Sequence, residues 1–379
     1  MIFLYVEPRF HPNQYPIIEG LIKKGHQVYF CVYKIGETEK HDGVELFVVN
    51  PSKTTIFLKR IWKKRGENYL EDKLVFWFKP KIRQIKEIMK RIQPDVMIIR
   101  GRTFFTLAFY RHKPKKTKAI LYNQSPIFTK KENVLKRIIR RAWYSLFPKS
   151  RFTVSKYAEY PFLNKDYIED KNAVFLPHVP RQIIDNRDYF SNNIINIFDC
   201  GKYRDYKNHF CLVDAISIIL DSSKLSNFHV TILGQVTNSE EADYYTRLEK
   251  HIKEKEMSNY FSLLTQVPYD EVPKYFLKND IFILPSKKEE ATVSILDAMS
   301  YGLATISTSK NGTADYIIPG KNGYVFVSNS ASDLADKISI YLNNPQLIAE
   351  HGRKSLDIVK SDYTFDKYYK TLISLIKRI

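Results

Sequence analysis

The residues best suited to chemistry lie in Ile281–Gly302, IFILPSKKEEATVSILDAMSYG. An apolar run ends at Pro285-Ser286, and a short polar loop carrying Glu289 follows. A helix pattern then opens near Thr292, a good N-cap residue type, and stops at Gly302. The amides of Ala291, Thr292 and Val293 would lack partners at that helix start. They would form an anion site reinforced by the helix dipole. Glu289 and Asp297 stand eight residues apart, one before the helix and one on it. Amides for phosphate and carboxylates for hydroxyls together describe a pocket for a sugar nucleotide. The ordinary alternative is a loop Glu and a solvated helix Asp. A second stretch, FDCGKYRDYKN over residues 198–208, joins a strand pattern to a helix pattern. Gly201 permits a tight turn and close backbone approach. Lys202 and Lys207 can project from this loop into a cleft, although lysines on such loops are often plain surface.

These loops need strands and helices to hold them. In the first half, Ile2–Val6, Gln27–Tyr33, Val44–Val49, Val96–Arg100, Ala119–Tyr122 and Phe152–Ser155 read as strands, with helix patterns between most of them. The pattern lapses over residues 176–193, which are polar and fit a linker. It restarts with strands at Ile194–Phe198, Val230–Leu233, Phe261–Leu264, Ile281–Leu284, Ala304–Ser307 and Tyr324–Val327. Buried strands alternating with helices predict parallel sheets covered on both faces. The expected architecture is α/β, with two doubly wound Rossmann-like domains facing a central cleft. Their expected limits are residues 1–185 and 193–361. The amphipathic segment 362–379, with Tyr368, Leu372 and Leu375 on one stripe, has no strand to follow and could complete the first domain.

Residues 281–302 resemble the E-x7-E signature of the retaining glycosyltransferases grouped as family 4, which have the GT-B fold. Glu289 matches the first Glu, and LDAMSYG matches the helix, with Asp297 at the second Glu. The resemblance implies that Glu289 contacts donor-sugar hydroxyls, that the following amides hold the pyrophosphate, and that Asp297 binds the ribose. Glu290-Ala291-Thr292 replaces a Gly-Phe-Gly run. Residues 201–208 resemble the family's G-R-x4-K segment, which neutralises the donor diphosphate. Lys207 matches, Lys202 stands for Arg, and Arg204 is positioned to supply the missing fork. Leu264–Val267, including Gln266 and Val267, resembles the loop whose backbone faces the nucleobase. The resemblance covers about Ile194 to Lys360. It implies a UDP- or GDP-sugar donor and Glu289, Lys207 and Lys202 as the catalytic set. With those lysines to neutralise the leaving diphosphate and no D-x-D motif present, neither a metal nor a cofactor is expected.

The first half would bind the acceptor. The loop Arg9–Asn13, with His11 and Asn13, follows the first strand, where it touches donor phosphate or merely turns the chain. Arg100, Arg102, Asn123 and Gln124 also follow strand ends and are cleft candidates. No histidine has triad or metal spacing.

The 379 residues carry 60 Lys and Arg against 41 Asp and Glu, a net charge of +19, which favours acidic partners. Residues 130–151 form a basic amphipathic pattern. Leu135, Ile138, Ile139, Ala142 and Leu146 lie on one stripe, and Lys136, Arg137, Arg140 and Arg141 lie beside and opposite it. Residues 59–91 add basic residues interleaved with Trp62, Phe76, Trp77 and Phe78. This is a membrane-surface pattern, unless the stripe packs on the sheet. No secretory leader or membrane-spanning run is apparent. Cys31, Cys200 and Cys211 read as small buried hydrophobes in a reducing compartment.

The expected protein is therefore a cytoplasmic transferase, peripheral on the inner face of the plasma membrane. It would move a sugar to a glycan or lipid-linked acceptor in capsule or surface-polysaccharide synthesis, with no nucleic-acid partner. Two rivals fit less well. A sugar-nucleotide epimerase or a phosphorylase would share the fold, and a basic nucleic-acid-binding protein would explain the charge alone.

Overall fold

The computed structural model describes residues 1–10, 12–35, 43–65, 67–130, 133–160, 167–190, 194–222 and 227–379. Met1–Val154, Asp166–Val179 and Phe365–Ile379 form one compact unit. Ser155–Lys165 and Pro180–Thr364 form the other.

The first unit contains β1 (Ile2–Val6), β2 (Gln27–Val32), β3 (Glu45–Val48), β4 (Val96–Arg100), β5 (Lys118–Tyr122), β6 (Phe128–Lys130), β7 (Arg151–Thr153), β8 (Tyr167–Glu169) and β9 (Ala173–Phe175). Seven of them make a parallel sheet in the order β3-β2-β1-β4-β5-β7-β9, and β6 and β8 form a small antiparallel ribbon. Phe3–Val6 and Val96–Ile99 are buried, as expected of central strands with helices on both faces. The helix Phe365–Lys377 packs into this unit through Tyr368, Leu372, Leu375 and Ile376. Its entry requires Gly20, because a Cβ there would sit 2.3 Å from the Phe365 ring.

The second unit contains β10 (Ile195–Cys200), β11 (Phe228–Gly234), β12 (Phe261–Thr265), β13 (Ile281–Leu284), β14 (Ala304–Thr308) and β15 (Gly323–Phe326). All pair in parallel in the order β12-β11-β10-β13-β14-β15. In chain order this is 3-2-1-4-5-6, so the connections reverse direction between β10 and β13. The carboxyl ends of strands at such a reversal are where open α/β sheets bind ligands.

The expected linker over 176–193 is corrected from Pro180 through Phe190, which belong to the second unit. Arg187 donates to the carbonyls of Phe276 (2.9 Å) and Tyr301 (2.8 Å). Tyr189 donates to the Gly302 carbonyl at 2.9 Å. Polarity marked this stretch as a connection, but its polar groups satisfy the carbonyls at the edge of the helix Ser294–Ser300 and its neighbours.

Candidate active site

The carboxyl ends of the neighbouring strands β10 and β13 bring together residues far apart in sequence. Gly201–Asn208 leaves β10, and Pro285–Val293 leaves β13. The loops are joined directly, with the Lys287 N–H donating to the Tyr206 carbonyl at 2.8 Å. Lys207 Nζ donates to Glu289 Oε1 at 2.6 Å, across 82 residues of chain. Only 13% of the Lys207 side chain and 15% of the Glu289 side chain remain exposed. Burial alone would pull the Lys207 ammonium down, but the Glu289 carboxylate outweighs it and raises the pKa. Ser286 Oγ donates to the same carboxylate oxygen at 3.0 Å.

Local chain geometry explains how the pair is held. Tyr203 is fully buried, and its hydroxyl lies 3.0 Å from the Ile232 carbonyl and 2.9 Å from the Leu264 carbonyl. This pins the loop to the ends of β11 and β12. The Lys207 stem lies over Gly201, where an added Cβ would meet Cδ and Cε at 3.1 Å. Glu289 is clamped from the other side. Its N–H donates to the Lys310 carbonyl at 2.9 Å, and its own carbonyl accepts from the Gly312 N–H at 3.0 Å. Gly312 cannot carry a side chain, since a Cβ would stand 1.9 Å from the Glu290 carbonyl oxygen.

The helix after this loop starts later than its sequence suggests. It spans Ser294–Ser300, with Val293 at its boundary and no side-chain cap. The expected Thr292 cap is corrected. Its hydroxyl pairs with Ser294 Oγ at 2.8 Å, and its carbonyl accepts from Thr313 Oγ1 at 3.2 Å. The amides of Ala291, Thr292 and Val293 donate to no backbone oxygen among the described residues. They therefore stay available as donors beside the Lys207–Glu289 pair. Gly302 ends the helix in the left-handed region, with φ of +70°.

Other predicted residues are placed differently. Arg204 Nε donates to Glu241 at 2.6 Å, and Lys202 Nζ lies 3.7 Å from the same carboxylate, which is fully buried. Glu241 also accepts from the Thr237 N–H and hydroxyl, each at 2.7 Å. Burial would raise its pKa, but these donors and the two cations hold it below the usual carboxylate range. Arg204 is thus anchored to Glu241 through Nε, while its side chain stays 39% exposed. Gln266 is exposed, with φ of +56°, and its amide exchanges hydrogen bonds with the Val236 backbone, while Val267 beside it is half-buried. Asp297 Oδ1 accepts from the Arg181 N–H at 3.3 Å. Its carboxyl is pushed up to about 6 by burial, which outweighs the Arg181 N–H and guanidinium.

The first unit has its own reversal of strand order, between β1 and β4. There Arg100 pairs with the buried Glu7 at 3.1 Å and lies over the Tyr122 ring. His178 is buried, with its ring pushed down to about 3 by burial and then by Arg100, so it is neutral. Arg102 stacks on Tyr144 at 3.6 Å rather than standing free. Asn123 Oδ1 closes a turn by accepting from Ser125 N–H and Oγ. The Asn13 side-chain oxygen is buried and has no partner among the described residues. His11 lies outside the described residues.

Sequence reasoning missed three supports of the donor-side loops. Asp199, next to last in β10, lies 3.3 Å from His209 Nε2, and both are buried. Burial pushes Asp199 up to about 7 despite Lys207, and burial and Lys207 push His209 down to about 3. Tyr244 locks His209 through its backbone N–H and Nδ1, at 3.0 and 3.2 Å. The signal was a carboxylate ending an otherwise apolar run, as at Glu7. Glu241 and Arg181 had no local signal. Among the described residues, no group of three or more His, Cys, Asp or Glu side chains has metal-site geometry. No helix among them is long and apolar enough to cross a membrane.

Comparison with known structures places the architecture in the GT-B class. A glycosyltransferase from Rickettsia africae superposes with a TM-score of 0.72 at 16% identity, covering 100% of this chain and 98% of that one. Anabaena Alr3699/HepE in complex with UDP and glucose gives 0.71 at 12% identity, covering 100% of both chains. At these identities the likeness shows the fold alone. More narrowly, residues 191–355 match the family described as Glycosyl transferases group 1, so the second unit carries a domain of that group. The lipopolysaccharide core biosynthesis mannosyltransferase LpcC of Rhizobium leguminosarum bv. viciae is 22% identical over 44% of this chain and 46% of its own length. The chain spans less than half the length of the curated relatives it matches first.

Proposed function

We propose that this protein is a retaining glycosyltransferase that moves a hexose from a UDP- or GDP-sugar to a glycan or lipid-linked acceptor, without a metal. The observation that carries the reading is the Lys207–Glu289 pair at the strand-order reversal, with the Ala291–Val293 amides beside it. With no donor bound, the two charges neutralise each other. An arriving diphosphate competes for the Lys207 ammonium and takes the amides. This frees Glu289 to accept from donor-sugar hydroxyls. Asp297 takes the ribose, and the Gln266-Val267 backbone faces the base. In the transfer, the anomeric bond to the diphosphate breaks. The acceptor oxygen bonds to the same face, and its proton leaves on a phosphate oxygen. Lys207 and the amides stabilise the departing charge, which is where such a site gains most. Glu7 and Arg100 mark the acceptor unit. A lipid-linked sugar at the cytoplasmic face, as in surface-polysaccharide assembly, is the acceptor class in keeping with the LpcC relative.

The test is a thermal-shift screen against nucleoside diphosphates and their sugars in chelator, followed by product analysis. One nucleotide should raise Tm in wild type and not in Lys207→Ala, and turnover should persist in chelator with the anomeric configuration kept. No shift by any nucleotide, or turnover abolished by chelator, refutes the reading or its metal-free form.

A further inference from the structure

The helix Val134–Tyr144 is oriented opposite to an ordinary surface helix. Val134, Leu135, Ile138 and Ile139 are 58%, 65%, 58% and 64% exposed. With Ala142, also exposed, they form a continuous arc on the outer side. The side that meets the protein is Arg137, Arg140, Trp143 and Tyr144, all partly buried. Trp143 Nε1 donates to the Arg102 carbonyl at 3.3 Å, and Arg102 stacks on Tyr144. No residue of the helix is buried. An apolar arc pointing outward costs solvation free energy unless something covers it. The arc is flanked by exposed Lys136 and Arg141, where long stems let charges reach outward past the apolar residues.

A second helix repeats the arrangement in the same unit. Lys53–Lys63 turns Thr55, Leu58, Lys59 and Trp62 inward and exposes Ile56, Phe57 and Ile61, with Phe57 at 62%. Exposed Lys53, Arg60 and Lys63 lie among them. The helix Glu67–Trp77 packs against Lys53–Lys63, and its far end reaches Trp143. There Phe76 and Trp77 pack on Phe104, and Phe76 and Phe104 pack on Trp143, at ring separations of 5.2–5.6 Å.

We propose that this face of the first unit docks on an anionic phospholipid surface. Leu135, Ile138, Ile139 and Phe57 would enter the acyl boundary, with Lys136, Arg141, Arg60 and Lys63 at the headgroups. Charge complementarity selects this occupant: the apolar residues are rimmed by cations, and the chain carries +19. An acidic protein partner would not explain the outward aliphatic arc, and nucleic acid would leave it uncovered. Each cation lost near the surface weakens binding roughly fivefold. The inference stands whether or not the transferase reading holds.

The experiment floats the full-length protein with vesicles of phosphatidylcholine alone or containing phosphatidylglycerol, at low and high salt, beside an RNA-binding assay. Wild type should float with the anionic vesicles and be released by salt. Leu135→Ser/Ile139→Ser should lose flotation while keeping its melting temperature and oligomeric state. Lys136→Glu/Arg141→Glu should lose at least about twentyfold. Three results overturn the proposal: no flotation with anionic vesicles, flotation unaffected by Leu135→Ser/Ile139→Ser, or RNA binding without vesicle binding. A wild-type oligomer that the serine variant dissociates, with vesicle binding unchanged, assigns the face to a second copy instead.

Discussion

Lys207→Met removes the ammonium but keeps an unbranched stem over Gly201, so its effect is mainly electrostatic. At 2.6 Å, with an effective dielectric constant of about 20, two unit charges attract by about 6 kcal/mol before desolvation. Desolvation of both groups offsets much of this, and breaking a fully buried pair from one side costs about 3–5 kcal/mol. Here each side chain keeps 13–15% exposure and Glu289 keeps the Ser286 hydroxyl, so the expected loss is about 2–3 kcal/mol. Lys207→Met/Glu289→Gln removes both charges and should recover to within about 1 kcal/mol of wild type. The assay must report on the second unit. Trp62, Trp77 and Trp143 all lie in the first, so tryptophan fluorescence serves as the control. Hydrogen exchange of β10 and β13 peptides in urea reads the perturbed region. A Lys207→Met variant within about 0.5 kcal/mol of wild type refutes the argument, as does a double variant as unstable as the two single losses summed.

Two further outcomes follow from the same loops. Gly312→Ala drives a Cβ against the Glu290 carbonyl and Ser155 Oγ, so it should cost about 2–3 kcal/mol. It should also weaken the nucleotide-induced thermal shift, whereas a neutral effect on both would mean the clamp is not rigid. The Asp297 pKa rises from 3.8 unfolded to about 6 folded, so its contribution is present below about pH 4 and is lost as pH rises through 6. Asp297→Asn should therefore gain about 2–3 kcal/mol relative to wild type between pH 4 and pH 7 in urea unfolding. A pH-independent difference would show that burial does not set the Asp297 pKa.

The strands were legible because each is a short apolar run, and the turns beside them because glycine and polar clusters are local signals. Ile2–Val6, Val96–Arg100 and Ile281–Leu284 fall where the pattern places them. The loops 201–208 and 285–293 were legible as chemistry for the same reason: their meaning lies in a few consecutive residue types. The first helical residue after Glu289 was not, because a side chain 21 residues away, Thr313, takes the carbonyl of the expected cap.

The sequence by itself determined the α/β alternation, the two Rossmann-like halves, and the cations and carboxylates at their strand ends. Tertiary structure decided which of those charges meet. The order β11-β10-β13 sets Lys207 against Glu289, while Glu241, on a separate helix, takes Arg204 and approaches Lys202. It also decided which way the basic helix faces. Periodicity defines a stripe at a period of 3.6. Only the contacts of Trp143 and Tyr144 determine that the stripe points outward, because a helix of either orientation has the same sequence.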